Sequence, residues 1–163
     1  MEKMTSNLLI SRILGDFEFF LGVIPYNEYY YVKSRKNGIF SVILNTESIQ
    51  SGIVGHWILL SYVSVNGKVI NWEIFDSLAL NSQIIPTSLI QYISGLNKNI
   101  KYSNKSVQAS ESTFCGLFCI ARFLAISLHV KLDVFLANFN IKHLNKNDKI
   151  VTDLILKYIN KIK

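Results

Sequence analysis

The pair Asn66–Gly67 sits between two runs rich in β-branched and aromatic residues, "HWILLSYVSV" (56–65) and "KVINWEIF" (68–75). Asn-Gly accepts the positive φ that a type I′ turn demands, and that turn follows the natural twist of two antiparallel strands. The pattern predicts a hairpin of residues 56–65 and 68–75. In such a pair the start of one strand lies beside the end of the other. His56 and Asp76, at those two ends, are therefore expected to be neighbours.

The rest of the chain reads as alternating elements around that hairpin. Ser6 can cap a short helix through "NLLISRIL", which Gly15 ends. "DFEFFLGVIP" is an irregular apolar stretch or a short strand, and "NEYYYVKS" is a strand or a wall loop. "GIFSVILNT" reads as a strand bounded by Gly38 and Asn45, with the loop "ESIQSGIVG" after it. "PTSLIQYISGLNK" is a helix with Pro86 in its first turn, and "NIKYSNKSVQ" reads as a further strand. "FCGLFCIARFLAISLHV" is apolar on most sides, as a buried central helix beginning near Cys115 would be. "LDVFLANF" and "NDKIVTDLILKYINKI" are two more helices; the latter carries Ile150, Leu154, Ile155 and Ile159 on one side. The fold class expected is α+β: a mixed, mostly antiparallel central sheet against a long buried helix, with further flanking helices.

Composition bounds the function classes. Half of the 163 residues are apolar, which excludes a disordered chain and suits a single domain over residues 1–163. No apolar stretch reaches the roughly 20 residues that span a bilayer, and "MEKMTSNLLISRIL" lacks the apolar core of a secretory signal. The only cysteines, Cys115 and Cys119, lie four apart on one helix, where a disulfide is strained. The expectation is a soluble protein of a reducing compartment, neither secreted nor membrane-bound. The net charge of +6 is compatible with an acidic partner such as nucleic acid, and equally with plain solubility.

A catalytic cysteine needs a base, a group that orients the base, and donors for an oxyanion. Cys115 opens the long helix, where unpaired amides and the helix dipole favour a thiolate. His56 is the candidate base and Asp76 its orienting acid. Gly116 lets substrate approach closely. The Cys115 amide is one oxyanion donor, and Gln108, seven residues upstream, offers its side-chain amide as the second. Each has a plain alternative: a small buried Cys, a hydrogen-bonded surface His, a turn-capping Asp and an exposed strand Gln. Cys119 is assigned to core packing, and His129 and His143 to the surface near helix ends. Two cysteines four apart with no suitably spaced His do not make a zinc site, so no metal is expected.

These residues resemble a known family. "FFLGVIP", "SVILNTESIQSGIVGHW", "WEIFDSL" and above all "SVQASESTFCGLF" are similar to segments of the adenovirus maturation protease (adenain) family, within the SUMO-protease-like clan of cysteine proteases. The last match is the most specific: Ser-Val-Gln, six intervening residues, then Cys-Gly-Leu-Phe. The resemblance runs from about residue 12 to about residue 130. It implies the adenain-like fold, with Cys115 as nucleophile, His56 as base and Gln108 in the oxyanion hole. Asp76 stands where the adenovirus enzymes carry Glu and the SUMO proteases Asp. Trp57 matches the aromatic residue after the catalytic His and is a candidate, with Gly116, for shaping the substrate cleft; the alternative for Trp57 is core filling.

The resemblance further implies a viral maturation endopeptidase that cuts capsid or core precursors after a small residue such as Gly. It implies no cofactor for the chemistry, action as a monomer, and a location in the virion and the host's viral factory. Family members slide on viral DNA, for which Lys98, Lys101, Lys105, Lys142, Lys146 and Lys149 are the candidate contacts here. The adenovirus enzymes are activated by a peptide tethered through a disulfide. With only Cys115 and Cys119 in this sequence that tether has no partner, so DNA or a peptide would have to activate without it. Similar proteases occur in virophages, and the small size and Lys, Asn and Ile usage resemble a maturation protease of the mavirus type. The nearest alternative is an isopeptidase that removes a ubiquitin-like modifier with the same four residues. A non-catalytic DNA-binding or scaffold protein on the same fold is the alternative of another class.

Overall fold

Asn66 and Gly67 adopt φ values of 53° and 76°. The hairpin they close is the middle of a five-stranded sheet in the computed structural model, which describes residues 6–31, 37–47, 55–80 and 84–162. Its strands are β1 (Phe20–Pro25), β2 (Asn37–Asn45), β3 (Trp57–Val65), β4 (Lys68–Phe75) and β5 (Ile100–Tyr102), adjacent in that order. The three central strands are antiparallel, while both edge strands join in parallel. A parallel neighbour needs a crossover rather than a tight turn. The helix α2 (Thr87–Leu96) lies in the crossover that carries the chain from β4 to β5.

Strand β3 explains why the sequence there is apolar without alternation. Side chains point to opposite faces along a strand. Trp57 and Leu59 enter one hydrophobic core, and Ile58, Leu60 and Tyr62 enter another. Both faces are covered, so both sets must be apolar. The first core holds α1 (Asn7–Leu14), α3 (Cys115–Ser127), α4 (Leu132–Leu136) and α5 (Asn147–Ile162); the second holds α2. Where two serines face each other across β2 and β3, Ser41 and Ser61, their buried hydroxyls bond at 2.7 Å. Each satisfies the other inside the sheet.

Helix α3 is buried along nearly its whole length, including Phe118, Cys119, Phe123 and Leu124. Val151, Leu154, Ile155 and Tyr158 form the buried face of α5, with Ile150 and Ile159 packed at its border. Two expectations need correction. "NEYYYVKS" is neither strand nor loop where described: Tyr26–Tyr31 forms a 3₁₀ turn directly after β1. "NIKYSNKSVQ" forms only the three-residue strand β5, because β4 ends at Phe75 and offers no partner beyond it. Gly15 ends α1 as expected, with an ordinary right-handed φ of −58°. Most of the expected loop "ESIQSGIVG" lies outside the described residues.

Candidate active site

The hairpin puts His56 and Asp76 where its geometry requires. His56 Nε2 lies 2.6 Å from Asp76 Oδ1. The carboxylate is wholly buried, which would penalise its charge without compensation. Compensation comes from the adjoining loop: Leu78 N donates to Oδ1 at 2.9 Å and Leu80 N to Oδ2 at 2.7 Å. Ala79, between them, takes a left-handed φ of 53°. That turn, uncommon for a residue with a Cβ, bends the chain back over the carboxylate. Ser103 fixes the backbone behind it: its hydroxyl accepts from Asp76 N and donates to Asp76 O, each at 2.9 Å.

Burial by itself works to lower the imidazole pKa. The hydrogen bonds to Asp76 and to Cys115, with the attraction of both groups, outweigh it and push His56 up to about 9. Burial likewise works to raise Asp76, but the His56 bond and charge, then the Leu78 and Leu80 amides, hold it below its usual value. The imidazolium is thus the favoured form at neutral pH. With Nε2 held by Asp76, Nδ1 is the nitrogen left for the thiol.

Cys115 is a free, half-buried thiol at the first residue of α3. Phe114 at the N-cap supplies no side-chain hydrogen bond, so no cap consumes the first-turn amides. Gly116 is buried beside it. Gln108 is 2% exposed and held at both ends of its carboxamide. Ser77 Oγ donates to Oε1 at 2.5 Å, and Nε2 donates to the Ser112 carbonyl at 2.7 Å. Val107 N and Gln108 N both donate to the Ser77 carbonyl. Asn147 donates to the Val107 carbonyl at 2.8 Å, and Ser112 Oγ donates to Asp148 at 2.8 Å, so the start of α5 braces the same loop.

Other expected residues fall elsewhere. Trp57 is 2% exposed and belongs to the core beneath the sheet. It begins β3 on the face covered by α3, so it fills the core and offers no surface to a substrate. Cys119 is fully buried, its thiol raised well above the usual range by burial, and Sγ donates to the Trp57 carbonyl at 3.4 Å. Lys98, Lys101 and Lys105 are exposed on and beside β5, and Lys142, Lys146 and Lys149 are exposed around the start of α5. Lys149 pairs with Asp153 of its own helix at 2.7 Å. His129 takes the left-handed position after α3, with φ of 58°, and His143 is exposed.

Several residues that support the site carry no signal in the sequence. Ser77, Ser103 and Asn147 are fully buried polar residues, and nothing in spacing or composition distinguishes them. Arg122 does carry one, as a lone charge in the middle of the apolar helix α3. It forms a bidentate pair with Glu73 at 2.7 and 2.9 Å and donates to the Val130 carbonyl at 2.8 Å. That pair lines a cavity of about 310 Å³ toward the opposite end of α3 from Cys115, which none of the four candidate residues borders. Among the described residues no cluster of His, Cys, Asp and Glu suits a metal ion, and no helix is long and apolar enough to cross a membrane.

Comparison with known proteins bears on the fold and the family. The ASFV pS273R protease shares the fold with a TM-score of 0.60 at 14% identity, over 93% of this chain and 66% of its own. At that identity the likeness speaks to fold alone. AvrA delL154, solved with IP6 and CoA, matches with a TM-score of 0.41 at 17% identity, over 90% of this chain and 53% of its own. The chain thus spans less than two thirds of the length of either. No curated protein matches it. The family model described as adenovirus endoprotease matches residues 20–155, most of the chain, and takes in all four candidate residues. The chain belongs to the adenovirus endoprotease family of cysteine endopeptidases.

Proposed function

We propose that this protein cuts viral capsid or core precursor proteins during particle assembly, after a small residue such as Gly, with Cys115 as nucleophile. The observation that carries the reading is an imidazole that a buried carboxylate holds at 2.6 Å, with the helix-start thiol of Cys115 among the groups that favour its charged form. The Cys115 thiolate attacks the scissile carbonyl, forming an S–C bond and moving the carbonyl electron pair onto oxygen. The Gln108 side-chain N–H and the Cys115 amide hold that oxyanion. The tetrahedral centre collapses, the C–N bond breaks, and His56 protonates the departing amine. Water, deprotonated by His56, then attacks the thioester and releases the acid and the thiolate. Asp76 fixes the imidazole orientation and stabilises its charged form throughout.

No metal or organic cofactor takes part in these steps. The six candidate lysines make viral DNA the candidate activator, acting without a disulfide tether; added salt then weakens activation steeply. The protein works as a monomer in the virion and in the host's viral factory.

The test is co-expression with the capsid proteins of the same genome. Wild-type protein is expected to shorten one or more of them at a Gly-containing junction, and Cys115→Ala to leave them whole. Processing that persists in Cys115→Ala ends the reading. Rapid release of a fluorophore from a ubiquitin-like modifier amide, with no precursor cut, moves the substrate class to isopeptide bonds instead.

A further inference from the structure

We propose that Ser77 is the positioning residue of the oxyanion hole: its hydroxyl aims the Gln108 carboxamide, so that the dipeptide Asp76–Ser77 organises both halves of the catalytic machinery. The inference rests on the proposed roles of Cys115 and Gln108.

The chemistry of the two neighbours decides which end of the carboxamide faces which. The Ser112 carbonyl can only accept a hydrogen bond. It lies 2.7 Å from the Gln108 amide, so the group facing it must be Nε2. The opposite end, Oε1, then faces Ser77, and a serine hydroxyl facing a carbonyl oxygen must donate. A flipped carboxamide would set two acceptors against each other at Ser112. The orientation is therefore fixed by chemistry, and it leaves the second N–H of Nε2 for a developing oxyanion.

Ser77 acts twice. Its hydroxyl takes Oε1, and its carbonyl takes the amides of Val107 and Gln108 at 2.8 and 3.1 Å. Both contacts are buried, since Ser77 is 0% and Gln108 2% exposed. Preorganised donors in a water-excluded site do not reorient during reaction, and that is the source of their effect. One residue earlier, Asp76 holds His56. Ser103, bonded to both backbone groups of Asp76, fixes the strand end from which the two side chains diverge. Without the Ser77 hydroxyl, Oε1 is left buried with one partner fewer and Nε2 keeps only the Ser112 carbonyl to direct it.

Two thiol reactions separate this role from general support. Acylation of Cys115 by p-nitrophenyl acetate forms S–C, expels p-nitrophenolate and passes through an oxyanion. Alkylation by iodoacetamide forms S–C and expels iodide with no oxyanion. Ser77→Ala is expected to slow acylation ~10-fold and to leave alkylation unchanged. In a Gln108→Ala background, Ser77→Ala should have no further effect on acylation, because its action passes through Gln108. Ser77→Thr, which keeps the hydroxyl, should restore part of the rate. Unchanged acylation in Ser77→Ala overturns the proposal. So does an equal loss in the Gln108→Ala background, or a parallel loss of alkylation, which would place the effect on His56 and Asp76. A wild-type protein in which neither reagent modifies Cys115 selectively removes the parent reading and this proposal with it.

A measurement on the unsubstituted protein guards against a variant that does not fold. The side-chain N–H pair of Gln108 is expected as two separate 1H–15N signals protected from exchange with solvent. A rapidly exchanging pair, like that of an exposed glutamine, overturns the proposal by itself.

Discussion

His56 carries the clearest pH signature of any residue in the molecule. Its folded pKa of about 9 exceeds the ordinary 6.5. A group raised on folding adds stability that is fully present below the unfolded pKa and lost as pH rises through the folded one. The wild-type urea midpoint is therefore expected to fall between about pH 6.5 and 9. Asp76 is lowered, so its contribution is present above its ordinary 3.8 and lost as pH falls through its folded value. In Asp76→Asn only burial and the thiol act on the imidazole, and the alkaline loss should shrink or reverse; an unchanged slope would show that the pair does not set the titration. Gln108→Ala removes the proposed oxyanion donor, with an expected loss of about 3 kcal/mol in barrier or roughly a hundredfold in kcat. Steady-state hydrolysis of the precursor junction measures it, with KM nearly unchanged. At this scale much is readable from the sequence. The hairpin alone makes His56 and Asp76 neighbours, and "SVQASESTFCGLF" sets Gln108 before Cys115. Ser77 is not readable, because a serine that braces a buried amide looks like any other serine until the fold closes over it.

The elements depend on a few backbone positions in left-handed conformation. Gly67 has φ of +76° with nothing within 4 Å of where a Cβ would sit. Gly67→Ala thus meets no obstruction but forces an alanine into a left-handed turn, a cost of about 1 kcal/mol. A lower urea midpoint with unchanged kcat per folded molecule is the expected result. A loss of kcat would mean that the turn also tunes the His56–Asp76 distance. His129 occupies the position after α3 where glycine is usual, and the turn it makes returns Val130 N to the Ala125 carbonyl at 2.8 Å. His129→Gly should raise stability by about 0.5–1 kcal/mol, read as a rise in Tm of about 2 °C. The strong local signals place the hairpin and α5 to within a residue. Elements that depend on distant partners come out differently: β5 stops after three residues because β4 stops first.

For the molecule as a whole, the pair between Glu73 and Arg122 joins the sheet to the central helix α3. Arg122 is nearly buried, at 3% side-chain exposure, against 18% for Glu73. Removing one partner of such a pair leaves an uncompensated charge in a place of poor solvation. Arg122→Leu should destabilise the fold by about 3 kcal/mol, and adding Glu73→Leu should recover part of that loss in chemical denaturation. Equal stability of the single and double variants would show that the carboxylate is not stranded. Local chemistry settled the hairpin, the apolar helix that starts at Cys115, the amphipathic face of α5 and the order of the four candidate residues. It did so because turn preference, side-chain periodicity and spacing act over a few neighbours along the chain. The parallel edge strands, the burial of Trp57, the ion pair between β4 and α3 and the brace on Gln108 were settled by packing. Each joins residues far apart in the chain, and contacts of that kind exist only once both faces of the sheet are covered.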